Sequence, residues 1–167
     1  MSIATFILGE SGTGKSTSLR NMDPAQTLLI QSIKKPLPFR SEGWKRYPKE
    51  GGNMIVSDDA AQIIELMHRT KRDVIVLDDY QYILANEFMR RTDERGYDKF
   101  TDIGKHAWEI IRAAADLAEH KRVFILSHTE TTEAGRVKAK TIGRMLDEKI
   151  TLEGMFSIVL RTAVIND

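Results

Sequence analysis

Short apolar runs alternate along this chain with stretches of helical spacing, a pattern that predicts a sheet flanked by helices. Ile3 to Leu8 is apolar, ends at Gly9 and passes into a glycine-rich turn, so it reads as a buried strand. Helical residues follow from Lys15 to about Arg20 and stop in Asn21 to Pro24. Thr27 to Ile30 is a second apolar run, and Met54 to Val56 a short candidate strand. Ser57 or Asp58 then caps a helix reaching about Arg69, with Ile63, Ile64 and Met67 on one face. Asp73 to Leu77 is dense in β-branched residues and is the clearest strand. Helical spacing returns from Tyr82 to Arg90. Beyond a polar stretch, Arg91 to Thr101, the residues Ile103, Ala107, Ile110, Ile111, Ala114, Leu117 and Ala118 form an apolar helical stripe. Val123 to Leu126 reads as another buried strand, and residues 129–141 are polar with no core pattern. A short helix, Ile142 to Asp147, and a strand, Met155 to Val164, complete the order.

Strand and helix alternating in this way argue for a three-layer α/β fold with a mostly parallel sheet, in one domain over residues 1–167. Lys34 to Pro48, with Pro36, Pro38 and Pro48 among Phe39, Trp44 and Tyr47, reads as an ordered connection. The last strand runs into Ile165-Asn166-Asp167, a turn signal, which predicts a C-terminal antiparallel edge whose second strand is missing, as in a shortened chain. Composition changes this picture little. Hydrophobic content of 41% and charged content of 29% are those of a globular domain. The absence of cysteine excludes disulfides and thiolate metal sites. A net charge of +1 means that any nucleic-acid contact must come from local clusters. No apolar run approaches the about 18 residues of a membrane span, and the N-terminus leads into a strand instead of a signal peptide. The expectation is a cytoplasmic protein with no membrane partner.

Gly9-Glu10-Ser11-Gly12-Thr13-Gly14-Lys15-Ser16 matches G-x-x-x-x-G-K-S/T in full, between a strand and a helix. Glycines at 9, 12 and 14 let the backbone wrap phosphates with its N–H groups, and the following helix start favours the same anions. Lys15 is then placed for the β- and γ-phosphates of ATP, Ser16 for Mg²⁺, and Thr17 for the α-phosphate. Asp78 and Asp79 end the strand Asp73 to Leu77, the arrangement in which a strand-end carboxylate reaches the metal. Asp78 is expected to serve Mg²⁺ through water. Asp79 either orients the attacking water or caps the next helix. Ser127 and His128 follow the strand Val123 to Leu126, where polar groups can sense the γ-phosphate.

Two polar loops lie beside these strand ends. Arg90, Arg91, Arg95, Tyr97, Lys99 and Phe100 occupy the first; Arg136, Lys138 and Lys140 alternate in the second, and in an extended chain would share one side. Basic residues with interleaved aromatics suit single-stranded nucleic acid. Asp93, Glu94, Asp98, Glu130 and Glu133 among them also allow ordinary solvated loops with balanced charge, and the nucleic-acid reading is the one preferred.

The order of these parts is similar to that of RecA-like ATPases. More narrowly, the chain resembles the small phage-encoded RecA-like P-loop ATPases that act in single-strand-annealing recombination. The resemblance is carried by residues 9–17, by Lys-Pro-Leu-Pro-Phe (35–39), Leu-Asp-Asp-Tyr-Gln-Tyr (77–82) and Leu-Ser-His-Thr-Glu (126–130). The segment Lys-Thr-Ile-Gly-Arg-Met-Leu-Asp-Glu-Lys-Ile-Thr-Leu-Glu-Gly-Met-Phe (140–156) is its most particular part. The resemblance implies a RecA-like core with ATP and Mg²⁺, single-stranded DNA as partner and a homo-oligomer, ring or filament, in a bacterial host. It implies that Arg90 to Thr101 and Thr129 to Thr141 are the DNA-binding loops, and that Lys138, Lys140 or Lys149 completes a neighbour's ATP site. RecA proper has a catalytic glutamate after its second strand, where this chain has Gln31, Ser32 and Ile33; Asp79 then takes that role or hydrolysis is slow. A small-molecule P-loop kinase, with Arg136 and Arg144 in a lid, and a non-hydrolysing ATP-dependent switch are the alternatives.

Overall fold

In a computed structural model of the chain, residues 1–143 and 145–165 are described. The apolar runs become strands β1 (Ile3–Gly9), β2 (Thr27–Gln31), β3 (Met54–Val56), β4 (Val74–Asp78) and β5 (Arg122–Thr131). Later in the chain come β6 (Val137–Ala139) and β7 (Ile158–Arg161). Three helices, α1 (Ala60–Arg69), α2 (Gln81–Arg90) and α3 (Asp98–Asp116), connect them. The seven-stranded sheet runs β3-β2-β4-β5-β1-β7, every pair on that path parallel, and β6 pairs antiparallel with the far end of β5. It is an α/β fold with a mostly parallel sheet.

Alternation along the strands divides the core into two layers. Leu28, Ile30, Ile75, Leu77, Val123 and Ile125 face Ile63 and Met67 of α1 and the stripe Ile103, Ala107, Ile110, Ile111 and Ala114 of α3. Leu29, Val76 and Leu126 face the other way, onto Leu19 and Trp44. That second face is covered by the Ser16–Asn21 turn and the Leu37–Trp44 connection, in which Phe39 and Trp44 meet edge to face at 6.4 Å. The aromatic connection between β2 and β3 thus does a helix's work. Tyr80 ties the helical layer to the sheet: its ring meets Phe6 edge-on at 6.2 Å, and its hydroxyl donates to the Ala107 carbonyl at 2.8 Å.

Four sequence expectations are corrected. The C-terminal edge is parallel, because β7 pairs with β1 in the register Thr5↔Ile158 to Leu8↔Arg161. After β6 the chain returns past the helical turns Met145–Lys149 and Leu152–Met155 to the level of Thr5 before it extends. A crossover of that kind delivers a parallel strand, and a turn signal in sequence does not fix direction. Residues 129–141 are not a loop: β5 continues to Thr131 and folds back as β6, with Glu130 opposite Lys138. The helix after the glycine loop is a six-residue 3₁₀ turn, Ser16–Asn21. The cap of α1 is Asp59, whose carboxylate accepts from the Gln62 N–H at 2.8 Å. Arg144, Asn166 and Asp167, invoked for a lid and a terminal turn, lie outside the described residues.

Candidate functional site

The C-terminal ends of β1, β5 and β4 lie side by side, with β5 in the middle, so Gly9 stands opposite His128 and the Asp78 strand end is next beyond. From Gly9 the chain turns through Gly12 (φ 80°) and Gly14 (φ 90°), a left-handed backbone that side chains disfavour, with no atom near a Cβ built at either position. Gly9 is required for a different reason. A Cβ there would lie 1.9 Å from Thr162 Oγ1 and 2.7 Å from Thr13 Oγ1. Thr162, just past β7, shares a 2.6 Å hydrogen bond with Thr13, and its N–H donates to the Leu8 carbonyl at 2.8 Å. The edge strand therefore braces the glycine loop.

Inside the loop, Lys15 is almost wholly buried and donates to the Gly9 and Glu10 carbonyls, each at 2.7 Å. Burial pushes its pKa down, against the pull of Asp79 and Asp78. The Ser16 hydroxyl lies 3.0 Å from both carboxylate oxygens of Asp78. Asp78 has no exposed surface, and burial, followed by the neighbouring Asp79 charge, raises its pKa against the opposing effects of Lys35, Ser16 and Lys15.

Asp79 adopts φ 63°, an uncommon conformation outside glycine that aspartate tolerates better than most residues. Its carboxylate does not cap α2: it accepts from Lys35 Nζ, and the ring Nε2 of His128 is 3.5 Å away. Burial, then the Lys15 charge, lowers the His128 pKa, which keeps the imidazole neutral at pH 7. The His128 N–H donates to Gln81 Oε1 at 2.8 Å, and its ring sits 6.1 Å from Tyr82. Ser127 is fully buried, and its hydroxyl has no hydrogen-bond partner among the described residues. A cavity of about 230 Å³ opens beside these groups, lined by Ser11, Gly12, Gly14, Lys15, Ser16, Thr17, Lys35, Pro36, Pro38, Asp79 and His128.

Sequence reasoning missed Lys35 and Thr162. Lys35 sits in Lys-Pro-Leu-Pro-Phe, and a lysine ahead of two prolines just beyond a strand's C-terminal end was the available signal. Thr162 had none, since only the parallel placement of β7 brings it to the loop.

The basic residues fall into two groups. Arg90, in the last turn of α2, pairs with Asp58 at 2.7 Å. Arg91 is bound to Glu94, Asp102 and Glu87, and these contacts raise its pKa further. Arg95 is exposed between α2 and α3, and Asp98 to Thr101 belong to the first turn of α3. On the hairpin, Arg136 and Lys140 are exposed, and Lys138 pairs with Glu130 at 3.0 Å. Lys149 is exposed at the end of the Met145–Lys149 turn.

Among the described residues no group of three or more His, Asp and Glu has metal-binding geometry. Mg²⁺ does not require one, because it is commonly held by one or two protein oxygens together with waters and phosphates. The Ser16 hydroxyl against the Asp78 carboxylate is such a donor pair. No described helix is long and apolar enough to cross a membrane. No protein-family model matches the chain, and no curated protein matches it either.

Proposed function

We propose that this chain is a P-loop ATPase of RecA-like type that hydrolyses Mg-ATP in the cavity and acts as an oligomeric, single-stranded-DNA-binding annealing protein. One observation carries the nucleotide reading: the buried Asp78 carboxylate facing the Ser16 hydroxyl at 3.0 Å, beside a glycine loop that contains Lys15. A buried carboxylate with a raised pKa is costly to the fold, and a metal-bearing ligand gives it a use.

In this reading the loop and Lys15 hold the phosphates, while Ser16 and Asp78 hold Mg²⁺. When bound, the metal neutralises charge on the β- and γ-oxygens. Asp79 would accept the proton of the attacking water as the water oxygen bonds to the terminal phosphorus and the bond from that phosphorus to the ADP oxygen breaks. Neutral His128 orients that water from β5. The same strand continues to Thr131 in the hairpin with Arg136, Lys138 and Lys140, so nucleotide and DNA sites would share one rigid element. The DNA and annealing parts rest on the resemblance and on this hairpin.

ATP hydrolysis measured with and without single-stranded DNA is the test. DNA-stimulated turnover supports the reading, whereas phosphate transfer to nucleosides without any DNA effect moves it to a small-molecule kinase. Lys15→Ala is expected to weaken fluorescent-ATP binding more than about a hundredfold, from the loss of charge-assisted bonds to two phosphates. Unchanged affinity would remove the nucleotide site altogether.

A further inference from the structure

Lys35 is the second lysine of the cavity, and nothing in the P-loop pattern calls for it. Its amine donates to Asp79 and lies 3.8 Å from Asp78, so it links both strand-end carboxylates. Its backbone is anchored, since the Lys35 carbonyl accepts from Arg46 at 2.6 Å and Arg46 also donates to Gln31 at the end of β2 at 2.9 Å. The side chain by contrast is about one-third exposed (36%) and lines the cavity.

Charge shows what a shift of its amine onto a bound phosphate would accomplish. Lys15 and Lys35 balance Asp78 and Asp79, and a Mg-triphosphate then brings in negative charge. With Lys35 held on Asp79, Lys15 is the lysine of the cavity left for the phosphates. We infer that Lys35 is the residue by which this site distinguishes a nucleoside triphosphate from a diphosphate, its ammonium leaving Asp79 for the terminal phosphate. A diphosphate is held by Lys15 and the glycine loop and leaves the Lys35–Asp79 pair intact. This deepens the nucleotide reading above and rests on it.

Titration calorimetry with Mg²⁺ and either a slowly hydrolysed ATP analogue or ADP tests the inference on the wild type, Lys35→Ala, Lys35→Gln and Lys35→Arg. Lys35→Ala should weaken the analogue about ten- to a hundredfold, the size of one or two charge-assisted hydrogen bonds, and ADP by less than about threefold. Lys35→Gln, which keeps a polar side chain of similar reach, should show the same selective loss if the alanine variant folds poorly. Lys35→Arg should keep most of the preference. Equal losses for both nucleotides, or none, would overturn the inference and leave the nucleotide site standing. A wild type that binds neither nucleotide would overturn both.

Discussion

Asp78 stands at the end of β4 without exposed surface, and its charge is tolerated only because Ser16, Lys35 and Lys15 surround it. With its folded pKa raised, the folded chain binds more protons than the unfolded chain between the ordinary carboxylate range and that raised value. Stability therefore falls as pH rises through the folded pKa. Asp78→Asn removes the charge and keeps the shape, so at pH 7 it should raise the thermal midpoint, by ~2–4 °C for each kcal/mol gained. Below about pH 4, where the wild-type carboxyl is protonated folded or unfolded, the gain should vanish. Under the proposed function the same variant should lose Mg²⁺-dependent nucleotide binding, as expected where activity is gained at the expense of stability. A midpoint at pH 7 equal to or below that of the wild type would mean that the ion pairs outweigh burial.

At the scale of elements, the joint between β7 and the glycine loop is the least expected contact. Thr162 occupies the space that a side chain at Gly9 would need. Gly9→Ala should therefore destabilise the fold by about 1–3 kcal/mol through overpacking. Thr162→Ala in the same chain should recover a good part of that, because the 1.9 Å conflict is with its hydroxyl oxygen. Denaturant unfolding of the two single variants and the double variant gives the coupling, and strictly additive effects would mean that loop and edge strand are independent. The β5–β6 hairpin is the second informative element. It sets Arg136, Lys138 and Lys140 along an extended segment, with Lys138 held to Glu130. Replacing all three with alanine should flatten the salt dependence of single-stranded-DNA affinity by about one to two log-log units, while ATP affinity holds. Anisotropy of a labelled oligonucleotide over a salt series reads this, and equal slopes would make the hairpin an ordinary solvated surface.

For the molecule as a whole, the sheet places the residues proposed to hold the nucleotide at the C-terminal ends of its central strands, where α/β sheets bind ligands, and leaves β3 and β7 as edges. Val159 and Leu160 of β7 are 42% and 52% exposed, an apolar edge open to pairing. Assembly belongs to this scale. Light scattering with Mg²⁺ and a slowly hydrolysed ATP analogue should show growth beyond the monomer that ADP does not support, and a monomer at high concentration with both nucleotides would count against an oligomer.

The sequence by itself determined the strands β1 to β4, the apolar face of α3 and the parts of the glycine loop, because each is written in local spacing: consecutive aliphatic residues, helical periodicity, glycines at fixed offsets. It also brought Asp78 and Asp79 to a strand end. The sequence also pointed to Asp78 as the partner of Ser16, but only the tertiary structure decided that the two meet directly at 3.0 Å, since that depends on β5 lying between β1 and β4. Likewise, the polar stretch 129–131 reads as loop but extends as strand, because ladder hydrogen bonds to β6 satisfy its backbone without any apolar side. The direction of β7, the brace of Thr162 and the reach of Lys35 onto Asp79 join residues 153, 149 and 44 positions apart. Local pattern carries no record of contacts at that separation; chain crossover and charge pairing in a shared cavity created them.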